Sequence, residues 1–375
     1  LAVGVWFLAG IVLGRLYPEA IQRFVVDPNE PTREAPYIGN NIAMTRLAFG
    51  LDAWDDDQIF RGEAPLTEAA IDNEAPTFRN ARLWDYRPLQ ATLDQLQTVR
   101  QYYDFIDVDT DRYVIGDEVR QVMLSGRELD LSKNPEATGW VNERLIYTHG
   151  IGLAMVPVNE VTAEGQPRLW IRDLPPVSSS GAPEIREPRI YFGERANDYV
   201  VVGARQDEFD YPRGTGSGES DVVNRWQGTT GIRLDTMLMR VLFSLRFRDL
   251  DLLISDQVTT ESQLLFHRSL RERVTRIAPF LRYDKDPYLV VYGRGRLVFI
   301  QDAYTWSARF PHATRFDPAA LGPTTGLDGR PFNYLRNSVK IVMDAYDGSL
   351  TFYAAQPDEP LLRAWSRVFP TLFRS

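Results

Sequence analysis

Leu1 to Gly14, LAVGVWFLAGIVLG, is an unbroken apolar run closed by Arg15. It is shorter than the about 20 residues a membrane-spanning helix requires. The chain opens on Leu1 with no positive segment before it, so residues 1–17 read as the surviving end of a truncated transmembrane helix and not as a secretory signal. A buried core helix would give the same pattern. Residues 18–36 are polar and punctuated by Pro18, Pro28, Pro31 and Pro36, which predicts a stalk where no helix continues for long. Asn40 or Asn41 is then placed to cap a water-facing helix carrying Ile42, Leu47 and Leu51.

Beyond the stalk the period changes repeatedly. Leu89, Leu93, Leu96 and Tyr103 recur at helical spacing within two predicted helices over 64–106. DRYVIGDEVRQVML then alternates around Gly116-Asp117 and predicts a hairpin. A short helix over 138–148 and a strand in IGLAMVPVNEV come next, with further strands in RIYFGE and DYVVVGARQDEFDY. Leu234, Leu238, Val241, Leu242 and Leu245 predict one amphipathic helix; Phe266, Leu270, Val274, Ile277 and Leu281 predict another. Two hairpins close the pattern, turning at Gly293 to Gly295 and, as a type I′ pair, at Asp347-Gly348. Local pairing with interspersed helices makes the class α+β, with antiparallel hairpins. Pro, Ser and Gly concentrate over 173–188, which places a border between subdomains 37–180 and 181–375.

Composition narrows the chemistry. A net charge of −9 without a basic block argues against nucleic acid as a partner. The absence of cysteine removes disulfides, thiolate nucleophiles and zinc-thiolate sites. With His149, His267 and His312 the only histidines and no HxxxH pair, a zinc centre would need distant carboxylates to converge.

The sharpest local signal is DVDTDRYVIGDE. Asp107, Asp109, Asp111 and Glu118 fall at positions one, three, five and twelve of a calcium-binding loop, so calcium is the one cofactor candidate. Against this, Arg112 occupies the place where that loop turns on glycine, and a hairpin would set the three aspartates along one strand face. The triplet Asp55 to Asp57 reads as a solvated loop. GTGSGES lacks both the GxSxG and the GK[ST] pattern and reads as a mobile loop. Glu194 in YFGE and Asp210 in EFDYP stand beside aromatics, and they are the catalytic candidates for a carboxylate-dependent hydrolase. Their alternative is a salt-bridged strand end.

The segments FVVDPNEPTREAPYIGNNIAMTRLAFGLD, YDFIDVDTDRY, YTHGIGLAMVPVNEV, LLFHRSLRERVTRIAPFLRYDKDPYLVV and NYLRNSVKIVMDAYDGSLTFY, in this order, closely resemble uncharacterised protein family 0182 of bacterial membrane proteins. The resemblance implies a multi-pass cell-membrane protein with a large extracellular (extracytoplasmic) region. On this reading the chain begins inside its last helix, residues 18–375 lie outside the cytoplasm, and the C-terminus is truncated. The partner implied is the lipid bilayer, through the N-terminal helix, with an envelope component as a further possibility. The resemblance transfers no activity and no catalytic residue. The expected role is binding or envelope organisation and not catalysis, with a carboxylate-dependent envelope hydrolase or an accessory domain of a transporter as alternatives.

Overall fold

A computed structural model describes residues 2–374 except 54–61, 63, 64, 66, 99, 101, 196, 197, 214–220, 322–325, 328 and 330. The Asp55 to Asp57 triplet and the GTGSGES loop therefore lie outside the described residues. The chain forms two compact units, Leu1–Ala70 and Ile71–Ser375.

The first unit is dominated by one helix, Ala2–Phe49, whose length and apolar composition suffice to cross a membrane. None of its described residues is buried. The predicted stalk is helical. Widened turns at Val12–Leu16 and Gln22–Val26 and a tight turn at Asp27–Asn29 precede Pro18, Pro28 and Pro31, where they absorb the missing N–H and the ring clash. Pro36 sits inside the last segment, Glu30–Phe49. Asn40 and Asn41 are thus interior residues and not caps. Gly50, left-handed at φ +66°, ends the helix by donating its N–H to the carbonyls of Arg46 and Leu47.

The second unit is built on two long hairpins. Glu118–Leu129 is the spine of one sheet: Asp109–Ile115 and Tyr103–Phe105 pair along one edge, Leu153–Pro157 along the other. Arg296–Ser307 is the spine of a second, flanked by Tyr288–Tyr292 and Arg282–Tyr283 on one side and Tyr334–Asp344 and Leu350–Ala354 on the other. These pairings are antiparallel, whereas the short Phe373–Arg374 adds to its sheet in parallel. The class is α+β. One core joins both sheets, with Val122, Leu153, Phe192, Phe299, Ile341 and Phe352 in contact through it. Because that core and the pairing of Gly150–Ile151 with Arg189–Ile190 cross residue 180, the Pro-rich segment 173–188 is an excursion within one unit and not a border.

Two local expectations change. The last hairpin turns through the four residues Ala345 to Gly348, with Gly348 left-handed at φ +69°, so the type I′ pair is not formed. Of the predicted stripe, Leu234 is buried ahead of the helix and Val241 part-buried, but Leu238, Leu242 and Leu245 on Met237–Phe247 face outward, 66%, 51% and 69% exposed. Phe243 and Phe247 face inward instead, stacking with Tyr199 and Phe266. Aromatic rings four residues apart cover more apolar area than the leucines and take the core face.

Candidate functional site

Residues 106–108 interrupt the pairing that Tyr103–Phe105 and Asp109–Ile115 share with the spine strand. Three residues there oppose two, Ser125 and Gly126. Such an irregularity re-aims side chains. The Ser125 hydroxyl donates to the Asp107 carbonyl and fixes the kink. Asp107 and Asp109, two residues apart, turn toward the loop after Arg189–Ile190, where Glu194 meets them. One carboxylate oxygen from each of Asp107, Asp109 and Glu194 lies within 4.8 Å of the other two.

The surroundings hold this arrangement. Leu289 N–H donates to Asp109 Oδ2 at 2.7 Å. Glu128, on the spine strand, accepts the N–H groups of Glu194 at 2.8 Å and Arg195 at 3.0 Å. Gly193 lies so close to the Glu128 carboxylate that a Cβ there would overlap it. Gly193 is itself fixed by its N–H to the Arg268 carbonyl and by its carbonyl to Leu270 N–H. Asp286 brings a further acid to Asp107.

Burial dominates the electrostatics. It pushes the Asp107 carboxyl up to about 7, with the neighbouring Asp286 adding to it. Burial, then Asp107, raises Asp109 to about 8. Burial, then Asp107, holds Glu194 well above the usual carboxylate range. Glu128 is also raised by burial, although the two backbone donors pull the other way. Such a group must either retain protons or meet an added cation.

A second acidic cluster lies on Glu208–Tyr211. A register shift between Phe209 and Tyr211 makes Asp210 the extra residue and directs it inward. Asp210 accepts from Arg189 at 3.0 and 2.8 Å and faces His149 Nε2 at 3.2 Å. Glu208 Oε2 accepts from Thr148 at 2.7 Å and Tyr191 at 2.5 Å, and its other oxygen accepts Trp226 N–H. His149 is fully buried and stacked on Tyr191, with ring centroids 4.5 Å apart. Burial lowers the imidazole pKa, but the bonds to Asp210 and Glu208 outweigh it and the net direction is up. Burial likewise pushes Glu208 and Asp210 upward, yet His149 and, for Asp210, Arg189 bring both below their ordinary values.

The structure therefore divides the sequence candidates. Asp107, Asp109 and Glu194 come together. Asp111 and Glu118 do not join them: Asp111 Oδ1 accepts the N–H of Arg112, and Glu118 pairs with Arg79. The reason is the hairpin, in which Glu118 opposes Ile115, six residues or about 20 Å along the strand from Asp109. Asp210 is committed to Arg189 and His149 in the other cluster. His267 contacts Glu272 and Arg246, and His312 is exposed. Glu128 and Asp286 were missed because no local motif links them to DVDTD; only the fold does.

A family model described as uncharacterised protein family (UPF0182) matches residues 1–375. Similar relatives are a UPF0182 protein of Desulforamulus reducens, 42% identical over 100% of this chain and 38% of its own length, and one of Moorella thermoacetica, 48% identical over 95% and 38%. A UPF0182 protein of a Synechococcus strain is 44% identical over 99% of this chain and 42% of its own length. The chain thus spans about two fifths of the relatives it matches. No solved structure matches it. On the match along its whole length, the chain belongs to the uncharacterised protein family UPF0182.

Proposed function

We propose that this chain is the extracytoplasmic part of a multi-pass bacterial membrane protein and that its working site is a divalent-cation centre on Asp107, Asp109 and Glu194. The role is binding or envelope organisation, with the first half of Ala2–Phe49 as the tie to the bilayer. The observation that carries the site is the convergence of three carboxylates, from stretches 85 residues apart, within 4.8 Å. Calcium takes six to eight oxygen ligands at about 2.3–2.6 Å, a shell whose neighbouring oxygens have such spacings. A hard, all-oxygen donor set favours it over softer metals. Backbone carbonyls, Asp286 and water would complete the shell.

Calcium titration of the melting temperature and of heat at pH 8 tests this. The expected result is saturable binding and a rise in melting temperature, both lost in Glu194→Gln and Asp109→Asn. No shift at millimolar calcium refutes it. Location is tested separately: the chain has no cysteine, so Val177→Cys on intact cells should react with a membrane-impermeant maleimide.

One observation favours a carboxylate-dependent hydrolase as the second reading. Burial and the neighbouring acids push the Glu194 carboxyl well above the usual carboxylate range, the direction a general acid requires. Turnover of a chromogenic glycoside abolished by Glu194→Gln would put it first. A role as an accessory to a transporter rests on the greater length of the relatives alone.

A further inference from the structure

We infer that Met237–Phe247 and Asp251–Ile254 form a second membrane contact, lying on the bilayer interface through Met237, Leu238, Leu242, Leu245, Leu250 and Ile254. Each of these six side chains is between 51% and 71% exposed. The inference rests on the reading that Ala2–Phe49 enters a bilayer, which keeps a lipid surface within reach of the same chain.

The helix has two apolar faces with different contents. Its inward face is aromatic and already satisfied, with Phe243 and Phe247 against Tyr199 and Phe266 and with Leu252 buried beyond the turn. The outward six contribute little to that core. They are nonetheless held in fixed positions. Thr236 Oγ1 accepts Met239 N–H at 3.3 Å, Arg248 turns the chain at φ +56°, and Ser244 Oγ donates to the Asp249 carbonyl at 2.6 Å. A rigid aliphatic patch of this extent marks an interaction surface.

The composition of the patch selects its occupant. Protein interfaces are anchored by Trp, Tyr and Arg, and leucine is under-represented among their strongest contacts. Here the aromatics point inward and the outward face offers leucine, isoleucine and methionine, with no hydrogen-bonding group to specify a partner. Hydrocarbon asks for none. The rim mixes exposed Arg233, Arg246 and Arg248 with exposed Asp235, Asp251 and Asp256, which matches a zwitterionic headgroup layer and not a strongly anionic one.

The test uses the full chain with one introduced cysteine, reconstituted in phosphatidylcholine vesicles. A nitrobenzoxadiazole probe on Leu242→Cys should emit at shorter wavelength than one on Val177→Cys and should be quenched by lipids bearing a shallow nitroxide, equally at low and physiological salt. A probe on Leu250→Cys should lose that quenching when Leu242→Asp and Leu245→Asp are added, while the melting temperature stays unchanged. A probe on Leu8→Cys reports the anchor independently. Quenching at position 8 without quenching at 242 overturns this inference and leaves the anchor standing. Quenching at 242 alone, with vesicles added, does the reverse. A 242 probe that is shielded but unquenched, with shielding that grows with protein density, identifies a second copy as the occupant and also overturns the inference.

Discussion

The two acidic clusters differ in one respect, the presence of internal cations. Glu208 and Asp210 are as deeply buried as Asp109, and burial pushes all three carboxyls upward. In the cluster on Glu208–Tyr211, Arg189, His149, Thr148 and Tyr191 supply charge or hydrogen bonds and reverse the direction. In the cluster of Asp107, Asp109 and Glu194, Asp109 has one backbone N–H and acids for neighbours. A cluster that neutralises itself is architecture. One that does not leaves room for an ion from outside.

The largest effect should come from unbalancing the closed cluster. Asp210→Ala removes from fully buried His149 and part-buried Arg189 one of the two carboxylates each meets, and should cost about 3 kcal/mol in urea unfolding. If the loss is below about 1 kcal/mol, the cluster is not the closed ionic unit described.

Next comes pH. The folded values of Asp107 and Asp109, about 7 and about 8, exceed the unfolded value near 3.9, so the native state holds protons that the unfolded chain has released. Without a divalent cation, stability should fall as pH rises from about 4 to about 8, by a few kcal/mol. The closed cluster has the opposite acid dependence: the lowered Glu208 and Asp210 contribute stability above the unfolded value near 4, lost as pH falls through their folded values. His149, raised above 6.5, contributes stability that is full below 6.5 and lost as pH rises through its folded value. Thermal melts from pH 3 to pH 9 on wild type and on Asp109→Asn separate these slopes, since only the variant should flatten the alkaline loss.

Calcium should act on the same slope. At 100 times its dissociation constant a ligand bound only by the native state adds about 2.7 kcal/mol, and the gain should be greatest at pH 8, where the acids would otherwise repel. The smallest effect is the sharpest discriminator: Asp111→Asn and Glu118→Gln should leave the calcium-dependent shift unchanged, because both residues lie outside the centre. Loss of the shift in either variant would restore the contiguous-loop reading.

Much of the architecture is visible in the linear pattern because hairpins are local. The alternation around Gly116-Asp117 and Gly293 to Gly295 places both spine strands. Helical phase is less visible when both faces of a helix are apolar, as on Met237–Phe247, since leucine and phenylalanine compete for the core and periodicity cannot rank them. Proline misled in the stalk for a related reason: a ring is incompatible with a regular α-turn but acceptable after a widened or tightened one, and that choice leaves no mark in composition. The candidate site was half legible. Asp107, Asp109 and Glu194 attracted notice separately, two as loop ligands and one as a catalytic acid, but their meeting depends on the interruption at 106–108 and on Glu128 holding the backbone at 194 and 195. Asp111 and Glu118 matched a spacing whose geometry the strand forbids.

Gly193 gives the acidic centre a dependence that no inventory of its ligands would reveal. A single methyl group there would have to expel the Glu128 carboxylate, since hydrogen bonds to Arg268 and Leu270 pin the glycine's own peptide groups on both sides. With Glu128 displaced, the peptide that carries Glu194 would lose its fastening. The position that contributes no side chain tolerates no addition.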